Sequence, residues 1–368
     1  MADDTSARAD DRPAPHPALA GRAWLGGRGR APSHLNRVVD AVRRSSVPAP
    51  IIYGLVWLTF VAIEVAAKAA DGTVGDLRLI HVVLPTFAMV AFPAFHFFTD
   101  QAAQALETAR PLLRLSDDEI KAFRRDLTVL PADQTMVAAA ASLAGLVLLT
   151  LIQPPDSFEV LGTMTSPLVS AVELTWQVLL WSGVGPVAFL IARQMTIVAN
   201  LTTHHTRIDL FALGPIYAHS RLTAAHAIFT ALVVVVASLA LARLASTVQW
   251  GLFAGPALLL AGAAFVVPLW GAHRLIVARK AQHEALIGRA IERLVHDLET
   301  SADRAELAAM EAPKTALEAL VLARDQVRSV SAWPWRPETL RGVVSALLLP
   351  LFIWAATRML ETVILPQA

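Results

Sequence analysis

The chain has 368 residues, of which 55% are hydrophobic and 17% charged, and its mean hydropathy is +0.52. Soluble proteins carry about 25% charged residues, so this composition indicates a membrane protein. A net charge of +1 gives no general attraction to nucleic acid, and the lack of cysteine excludes disulfides, thiolate metal ligands and thiol nucleophiles.

Residues 1–46 are predicted to form a disordered or interfacial tail. The first part, to about residue 33, is rich in Ala, Pro, Gly, Arg and Asp and has no hydrophobic periodicity. The apolar residues between Leu35 and Val42 share one helical face. This pattern fits either a short helix on the membrane surface or an unstructured tail. The hydrophobic segment of a signal peptide is not found before Ile51.

Seven hydrophobic segments are candidates to cross a bilayer, which takes roughly 20 apolar residues. The sequence therefore predicts an all-α polytopic membrane helix bundle of about seven spans. Six spans fall within residues 47–273, and the seventh falls within residues 342–368. The predicted spans are Ile51–Ala67, Leu79–Thr99, Gln134–Pro155, Ser170–Ala192, two within Leu222–His273, and Gly342–Leu365.

Two polar segments between the spans carry helix signals. Ser116–Glu119 matches a capping box and predicts a helix over about 117–127. Residues 274–341 hold eleven basic and ten acidic residues and two apolar stripes at helical spacing. We interpret them as a helical hairpin between spans six and seven, with a short coiled-coil-like seam that packs within one chain or against a second copy. The stripes are Ile287, Ile291, Leu294 and Leu298, then Leu317, Leu320, Val321, Val327 and Val330.

The positions of Lys and Arg predict the orientation. The N-terminal tail carries eight of them, the loop between spans two and three carries five, and the hairpin carries eleven, whereas the alternate loops carry few. The positive-inside rule then places the N-terminus and the hairpin in the cytoplasm and the C-terminus outside, in a bacterial inner membrane.

Several motifs in the loops and span ends resemble a widespread group of prokaryotic polytopic membrane proteins that has no established activity. The resemblance covers most of the chain after the tail, and it implies an architecture without a mechanism. The motifs are Asp100–Ala103, Arg110–Leu113, Leu115–Glu119, Ile208–Phe211, Pro215–Ala218, Ser220–Ala224, Pro268–His273 and Trp333–Pro337.

Polar residues at membrane depth are candidates for a functional site, because a charge is costly to bury in a bilayer. We predict an outer polar cluster that could bind or transport a solute, with Glu64 and Arg358 within ion-pair distance. The alternative is structural ion pairing, for example between Glu64 and Lys68, which are one helical turn apart. The cluster consists of Glu64, Glu173, Gln177, Arg243, Arg358 and Glu361.

Histidines offer candidate metal ligands, since imidazole with carboxylate suits zinc or ferrous iron. His81 and His96 are near the spacing of a bis-haem helix, but no second span carries a matching pair. The spacing of the other candidates matches no metal motif, so neither a metal nor a cofactor is predicted. These other candidates are His204, His205, Asp209 and His219.

The sequence contains no phosphate-binding loop, dinucleotide fingerprint, zinc-protease motif or nucleophile elbow. No catalytic residue is therefore predicted. The favoured interpretation is a non-enzymatic scaffold or signal-coupling module that meets a protein partner or a second copy through residues 274–341. The alternative is a small-solute transporter or channel that uses the outer polar cluster and a helix break at Pro186. The bilayer is the expected environment in either case.

Overall fold

The structure is a computed structural model, and it describes residues 30–152, 166–241, 247–303 and 311–363. Residues 1–29 of the predicted N-terminal tail and residues 364–368 lie outside these ranges. Regular structure in the described residues is helical apart from two isolated bridges, which confirms the all-α class. The α-helices are α1 His34–Arg44, α2 Ala49–Ala70, α3 Ile80–Ala109, α4 Asp117–Thr128, α5 Ala132–Ile152, α6 Pro167–Asn200, α7 Ile216–Leu241, α8 Thr247–Val266, α9 Trp270–Asp303, α10 Glu311–Ser329 and α11 Pro337–Val363.

Six of the described helical segments are long and apolar enough to cross a bilayer. They coincide with predicted spans one, two, four, five, six and seven. A shorter apolar stretch, Ala132–Leu148, lies in α5 at the position of the third span. The chain is therefore a polytopic helical membrane protein.

α3, α6 and α7 form the centre of the bundle. α3 packs against α2, α6 and α7, α5 packs against α6, and α8 and α11 pack against α7. Large apolar side chains on the outer helices stay exposed, among them Leu55 on α2, Leu259 on α8 and Phe352 on α11. Such a surface is expected where hydrocarbon rather than water surrounds a protein.

Two glycines allow close packing around the middle of α6. A Cβ atom at Gly185 would collide with the carbonyl oxygen of Ala138 in α5, and one at Gly183 would lie 2.7 Å from the Cβ of Ala91 in α3. The helix continues through Pro186, so the break predicted there does not form. Packing of both neighbours against the small residues supports the helix across the proline.

The segments richest in Lys and Arg meet at one end of the bundle, which we call the basic end. Backbone hydrogen bonds of 2.8 Å join Arg114 to His205 and Arg207 to Leu112. The backbone of residues 31–33 pairs with the segment that follows α4. The base of the α9–α10 hairpin packs against the loop that precedes α7. Segments that were predicted to lie on one side of the membrane therefore contact one another.

α1 is part of the bundle at the basic end. Leu35 and Val39 are buried against α3 and α6. The Asn36 side chain donates to the carbonyl of Thr128 and accepts from the amide of Leu130, both at 2.9 Å. These specific hydrogen bonds explain why the helix docks on the protein, where the sequence pattern alone also fitted a membrane-surface helix.

α4 begins with the capping box expected from the sequence. The Ser116 side chain accepts from the Glu119 amide, and the Glu119 carboxylate accepts from the Ser116 amide. Ile120, Phe123 and Leu127 form its buried face. That face packs against α3 and α6 at the basic end.

α9 and α10 pack against each other as a hairpin outside the bundle. The residues of the predicted apolar stripes are its half-buried positions, with Val327 fully buried. The Lys280 ammonium donates to the carbonyls of Arg328 and Val330 at 3.0 and 2.6 Å. It therefore supplies positive charge at the carboxyl end of α10, where the helix dipole is negative.

An aromatic stack joins the hairpin to α11. The rings of His273 and Trp333 stack at 3.9 Å, those of Trp333 and Trp335 at 4.3 Å, and those of Trp335 and Phe265 at 5.0 Å. His273 Nδ1 lies 2.9 Å from the carbonyl oxygen of Ala332. The Trp-Pro-Trp segment is thereby fixed against the ends of α8 and α9.

Candidate functional site

A buried group of four ionisable side chains and one tryptophan lies at the end of the bundle opposite the basic end. α2 supplies Glu64 and Lys68, α3 supplies His81, and α6 supplies Glu173 and Trp176. Each is between 1% and 6% exposed, so all five are removed from water and from lipid. We call these five residues the carboxylate cluster.

The end of α2 positions Lys68 in the cluster. Gly72 has a φ of +71°, which side-chain-bearing residues rarely adopt. It allows the Thr73 amide to donate to the Lys68 carbonyl at 2.9 Å and the Gly72 amide to donate to the Ala69 carbonyl at 3.1 Å. This Schellman motif ends the helix at Ala70, two residues after Lys68. Glu64 lies one turn earlier and therefore on the same face.

Contacts across the three helices hold the carboxylates in place. The Lys68 ammonium lies 3.2 Å from Glu173 Oε1, and His81 Nε2 lies 3.6 Å from the same oxygen. The Trp176 indole N–H donates to Glu64 Oε2 at 2.9 Å. Glu173 therefore faces two nitrogen groups, whereas Glu64 is held by a neutral donor.

The tautomer of His81 follows from its backbone contact. The amide of Arg78 donates to His81 Nδ1 at 2.9 Å. An accepting Nδ1 places the proton of a neutral imidazole on Nε2. That Nε2–H faces Glu173 Oε1, so the ring presents a donor to the cluster.

The cluster has more acceptor capacity than donors. Within the described part of the chain, Glu64 Oε1 and Glu173 Oε2 have no hydrogen-bond partner. One ligand atom each from Glu64, His81 and Glu173 lies within 4.8 Å of the other two. Two carboxylates thus share one ammonium group, and a small cation would satisfy the remaining oxygens.

The structure brings together two of the six residues of the predicted outer polar cluster, Glu64 and Glu173. Gln177 is half-buried one turn after Glu173 on α6. Lys68 pairs with Glu173 rather than with its helical neighbour Glu64. The sequence offered no signal for this choice, because it depends on how α2 and α6 are rotated about their axes.

Two of the remaining predicted members, Arg358 and Glu361, belong to another helix, α11. Arg358 lies on α11, which packs against α7 and α8, while the helix of its expected partner Glu64 packs against α3 and α6. Arg243 and the side chain of Glu361 lie outside the described residues.

Among the described residues, the histidines near the loop that precedes α7 form no group of three ligand atoms with Asp209. The one group of ligand atoms that converges in the described ranges is that of Glu64, His81 and Glu173. The Asp209 side chain accepts from the amide of Phe211 at 3.0 Å, which closes the local turn. His204 and His205 end the π-helix after α6, and His219 is buried in α7.

His96 belongs to a separate network at the basic end. Its Nδ1 lies 3.1 Å from the Tyr53 hydroxyl, and its Nε2 lies 3.3 Å from Asp100 Oδ2. Arg43 of α1 pairs with the other oxygen of Asp100. His81 is the second residue of α3 and His96 lies near its middle, in different surroundings, and the bis-haem spacing has no structural counterpart.

An apolar groove of about 560 Å³ lies between α3, α6, α7 and α8. Phe87, Val187, Phe229 and Leu260 contribute to its lining, and none of the described residues that line it is charged. Its chemistry suits hydrocarbon rather than a polar solute.

Comparisons with protein-family models, with curated proteins and with solved structures find no match. No family match therefore supports the resemblance to a prokaryotic membrane-protein group. The assignment of the chain to a protein class rests on its fold. Its apolar helices, joined at the basic end and enclosing a charged cluster at the other, identify the chain as a polytopic helical membrane protein.

Proposed function

We propose that this protein is a multi-pass membrane transporter that binds a small cation at the carboxylate cluster. The observation that carries the proposal is the imbalance of two buried carboxylates against one lysine, with no donor to Glu64 Oε1 or Glu173 Oε2 among the described residues. A purely structural ion pair is favourable only when the remaining lone pairs are also satisfied. The imbalance therefore favours a site that is completed by a bound cation.

The location of the cluster supports exchange with one aqueous side. Lys68 lies two residues before the end of α2, and His81 is the second residue of α3. Only a few ångströms of helix separate them from the loops at that end. The proposal includes seven spans, with α5 as the third, the basic end in the bacterial cytoplasm and the cluster near the outer surface.

Charge movement in reconstituted liposomes tests the function. Liposomes that contain the purified protein are adsorbed on a solid-supported membrane. The surrounding solution is then switched to one with H⁺, Na⁺, K⁺, Mn²⁺ or Zn²⁺ at constant ionic strength. We expect a transient current with at least one of these cations. Glu64→Gln and Glu173→Gln should abolish it, because each removes a carboxylate charge at nearly constant volume.

Glu338→Gln is the matched control, since Glu338 is an exposed carboxylate in the first turn of α11. It should keep the full current. Currents that are absent for every cation in the wild type, or that survive both cluster substitutions, would refute the proposal.

A second candidate function is supported by the hairpin. Leu286 on α9 and Leu322 on α10 are 56% and 62% exposed on a mixed-charge surface outside the spans. Exposed leucines of this kind favour a contact with a second copy, as in a scaffold or signal-coupling module. Light scattering of the detergent-solubilised protein should then show a dimer that Leu286→Glu and Leu322→Glu dissociate. A monomeric wild type would exclude this candidate.

A further inference from the structure

We propose that the cation bound at the carboxylate cluster is a divalent transition-metal ion, ligated by Glu64, His81 and Glu173 in exchange for the ammonium of Lys68. This inference rests on the proposed function, because it names the chemical class of the cation. The three ligands come from α2, α3 and α6, so a bound ion would join three separate helices.

The geometry is close to that of a metal site. One ligand atom from each residue already lies within 4.8 Å of the others. Metal–nitrogen and metal–oxygen bonds of about 2.1 Å require ligand atoms about 3.4 Å apart in a tetrahedral arrangement. Rotation of the two glutamate side chains can supply a closure of about an ångström without moving the helices.

The ligand atoms are buried and lack hydrogen-bond partners among the described residues, which distinguishes them from an ordinary acidic surface group. Glu64, His81 and Glu173 are 1%, 6% and 2% exposed. Glu64 Oε1, His81 Nε2 and Glu173 Oε2 have no hydrogen-bond partner among the described residues. The Trp176 indole holds the other oxygen of Glu64, as groups behind a metal ligand commonly do.

The donor set selects the class of metal. One imidazole with two carboxylates suits Zn²⁺, Mn²⁺ or Fe²⁺, and the absence of cysteine from the chain excludes thiolate-dependent sites. A divalent charge also balances the two carboxylates. A fourth position remains for water or for a transported ligand.

Lys68 acts as the resident counter-charge when no metal is bound. Its ammonium lies 3.2 Å from Glu173 Oε1 and occupies part of the space that the ion needs. Because Lys68 is close to the end of α2, its flexible side chain can move its charge toward the aqueous side. Metal entry and lysine withdrawal are therefore two parts of one exchange.

His81 must change its tautomer in the same exchange. Ligation through Nε2 requires a free lone pair there and therefore a proton on Nδ1. The Arg78 amide, which now donates to Nδ1, would have to turn away. The loss of this hydrogen bond opposes metal binding and gives a specific test.

Arg78→Pro removes the opposing amide. Leu77 has backbone angles of −60° and 120°, which suit a residue that precedes proline. We expect Arg78→Pro to bind metal about fivefold more tightly than Arg78→Ala, the factor that corresponds to a net hydrogen bond of about 1 kcal/mol. Both variants lack the arginine charge, so Arg78→Ala is the matched control.

The experiment uses full-length protein in detergent, stripped with a chelator and titrated with Co²⁺ as a visible probe for a Zn²⁺-type site. We expect one Co²⁺ per chain, displaced by Zn²⁺. Affinity should fall at least tenfold in Glu64→Gln, His81→Gln and Glu173→Gln. Glu338→Gln and the exposed His283→Gln should bind as wild type does.

Two gain-of-affinity variants keep the test decisive if a ligand variant fails to fold. Lys68→Met should bind more than tenfold more tightly, because it removes the ammonium that competes with the ion for Glu173 Oε1. Arg78→Pro is the other. A wild type without saturable Co²⁺ binding, or binding that the three ligand substitutions leave unchanged, overturns the metal assignment.

The outcomes separate this inference from the proposed function. Currents driven by H⁺ or Na⁺ in a protein that binds no Co²⁺ would support the transport function and refute the metal site. Co²⁺ binding at the three ligands without any current would retain the metal site and overturn transport.

Discussion

Replacing Lys68 with methionine isolates the energetic role of the only lysine in the carboxylate cluster. The ammonium and Glu173 Oε1 are 3.2 Å apart, and each side chain is 3% exposed. At an effective dielectric constant of about 20, this separation corresponds to an attraction of about 5 kcal/mol before desolvation is counted. Removal of one partner of such a buried pair typically costs about 3–5 kcal/mol. We expect Lys68→Met to lower the free energy of unfolding by that amount.

Because the cluster has two carboxylates and one lysine, we expect the loss of Lys68 and the loss of Glu173 to have unequal effects on stability. Lys68→Met leaves two buried carboxylates and no lysine, whereas Glu173→Gln leaves Lys68 with Glu64. We expect Glu173→Gln to cost only about 1–3 kcal/mol, the range for losing a charged hydrogen bond. The double substitution should be more stable than Lys68→Met alone, because it removes the uncompensated carboxylate.

Reversible unfolding in mixed detergent micelles measures these differences. The chain has nine tryptophans, so intrinsic fluorescence reports unfolding without a label. The buffer contains a chelator, since a bound metal would offset the loss of Lys68. A Lys68→Met protein within about 1 kcal/mol of wild type, or no less stable than Glu173→Gln, would refute the inference that Lys68 neutralises buried carboxylates.

Two further predictions concern helix packing outside the cluster. Gly185→Ala forces a methyl group against the Ala138 carbonyl and should destabilise by about 1–3 kcal/mol, whereas Gly54→Ala, in open space on α2, should stabilise by up to about 1 kcal/mol in the same unfolding assay. Equal effects would contradict the close contact of α5 and α6. Asn36→Ala removes the two side-chain hydrogen bonds to the backbone of Thr128 and Leu130 and should cost about 1–3 kcal/mol, with the exposed His34→Ala near zero as control. A neutral Asn36→Ala would show that α1 does not depend on this docking.

The spans could be predicted because their signal is local. A bilayer-length apolar run, or a capping box such as Ser116–Glu119, depends on neighbours in sequence and is not altered by the rest of the fold. The docking of α1 could not be predicted from local sequence in this way. Its apolar face was visible, but the partner of that face depends on Asn36 reaching residues more than ninety positions later.

The cluster could be predicted only in part for a related reason. Glu64 and Glu173 were visible as charges within apolar segments. Their partners were not, because apolar residues surround these helices on all sides and so do not define which face turns inward. Once the structure fixes the rotation of α2, α3 and α6, Lys68 and His81 fall beside Glu173.

The interlocked backbone of the basic end sets an order for assembly during synthesis. Leu112 and Arg114 find their backbone partners in Arg207 and His205, which the ribosome adds more than ninety residues later. By then α2, α3, α5 and α6 have all been made, and until then these polar groups need water. The basic end therefore closes only after the first half of the bundle is inserted. A chain stopped before residue 205 would contain Glu64, Lys68, His81 and Glu173. It would lack the two backbone hydrogen bonds that join its segments at the basic end.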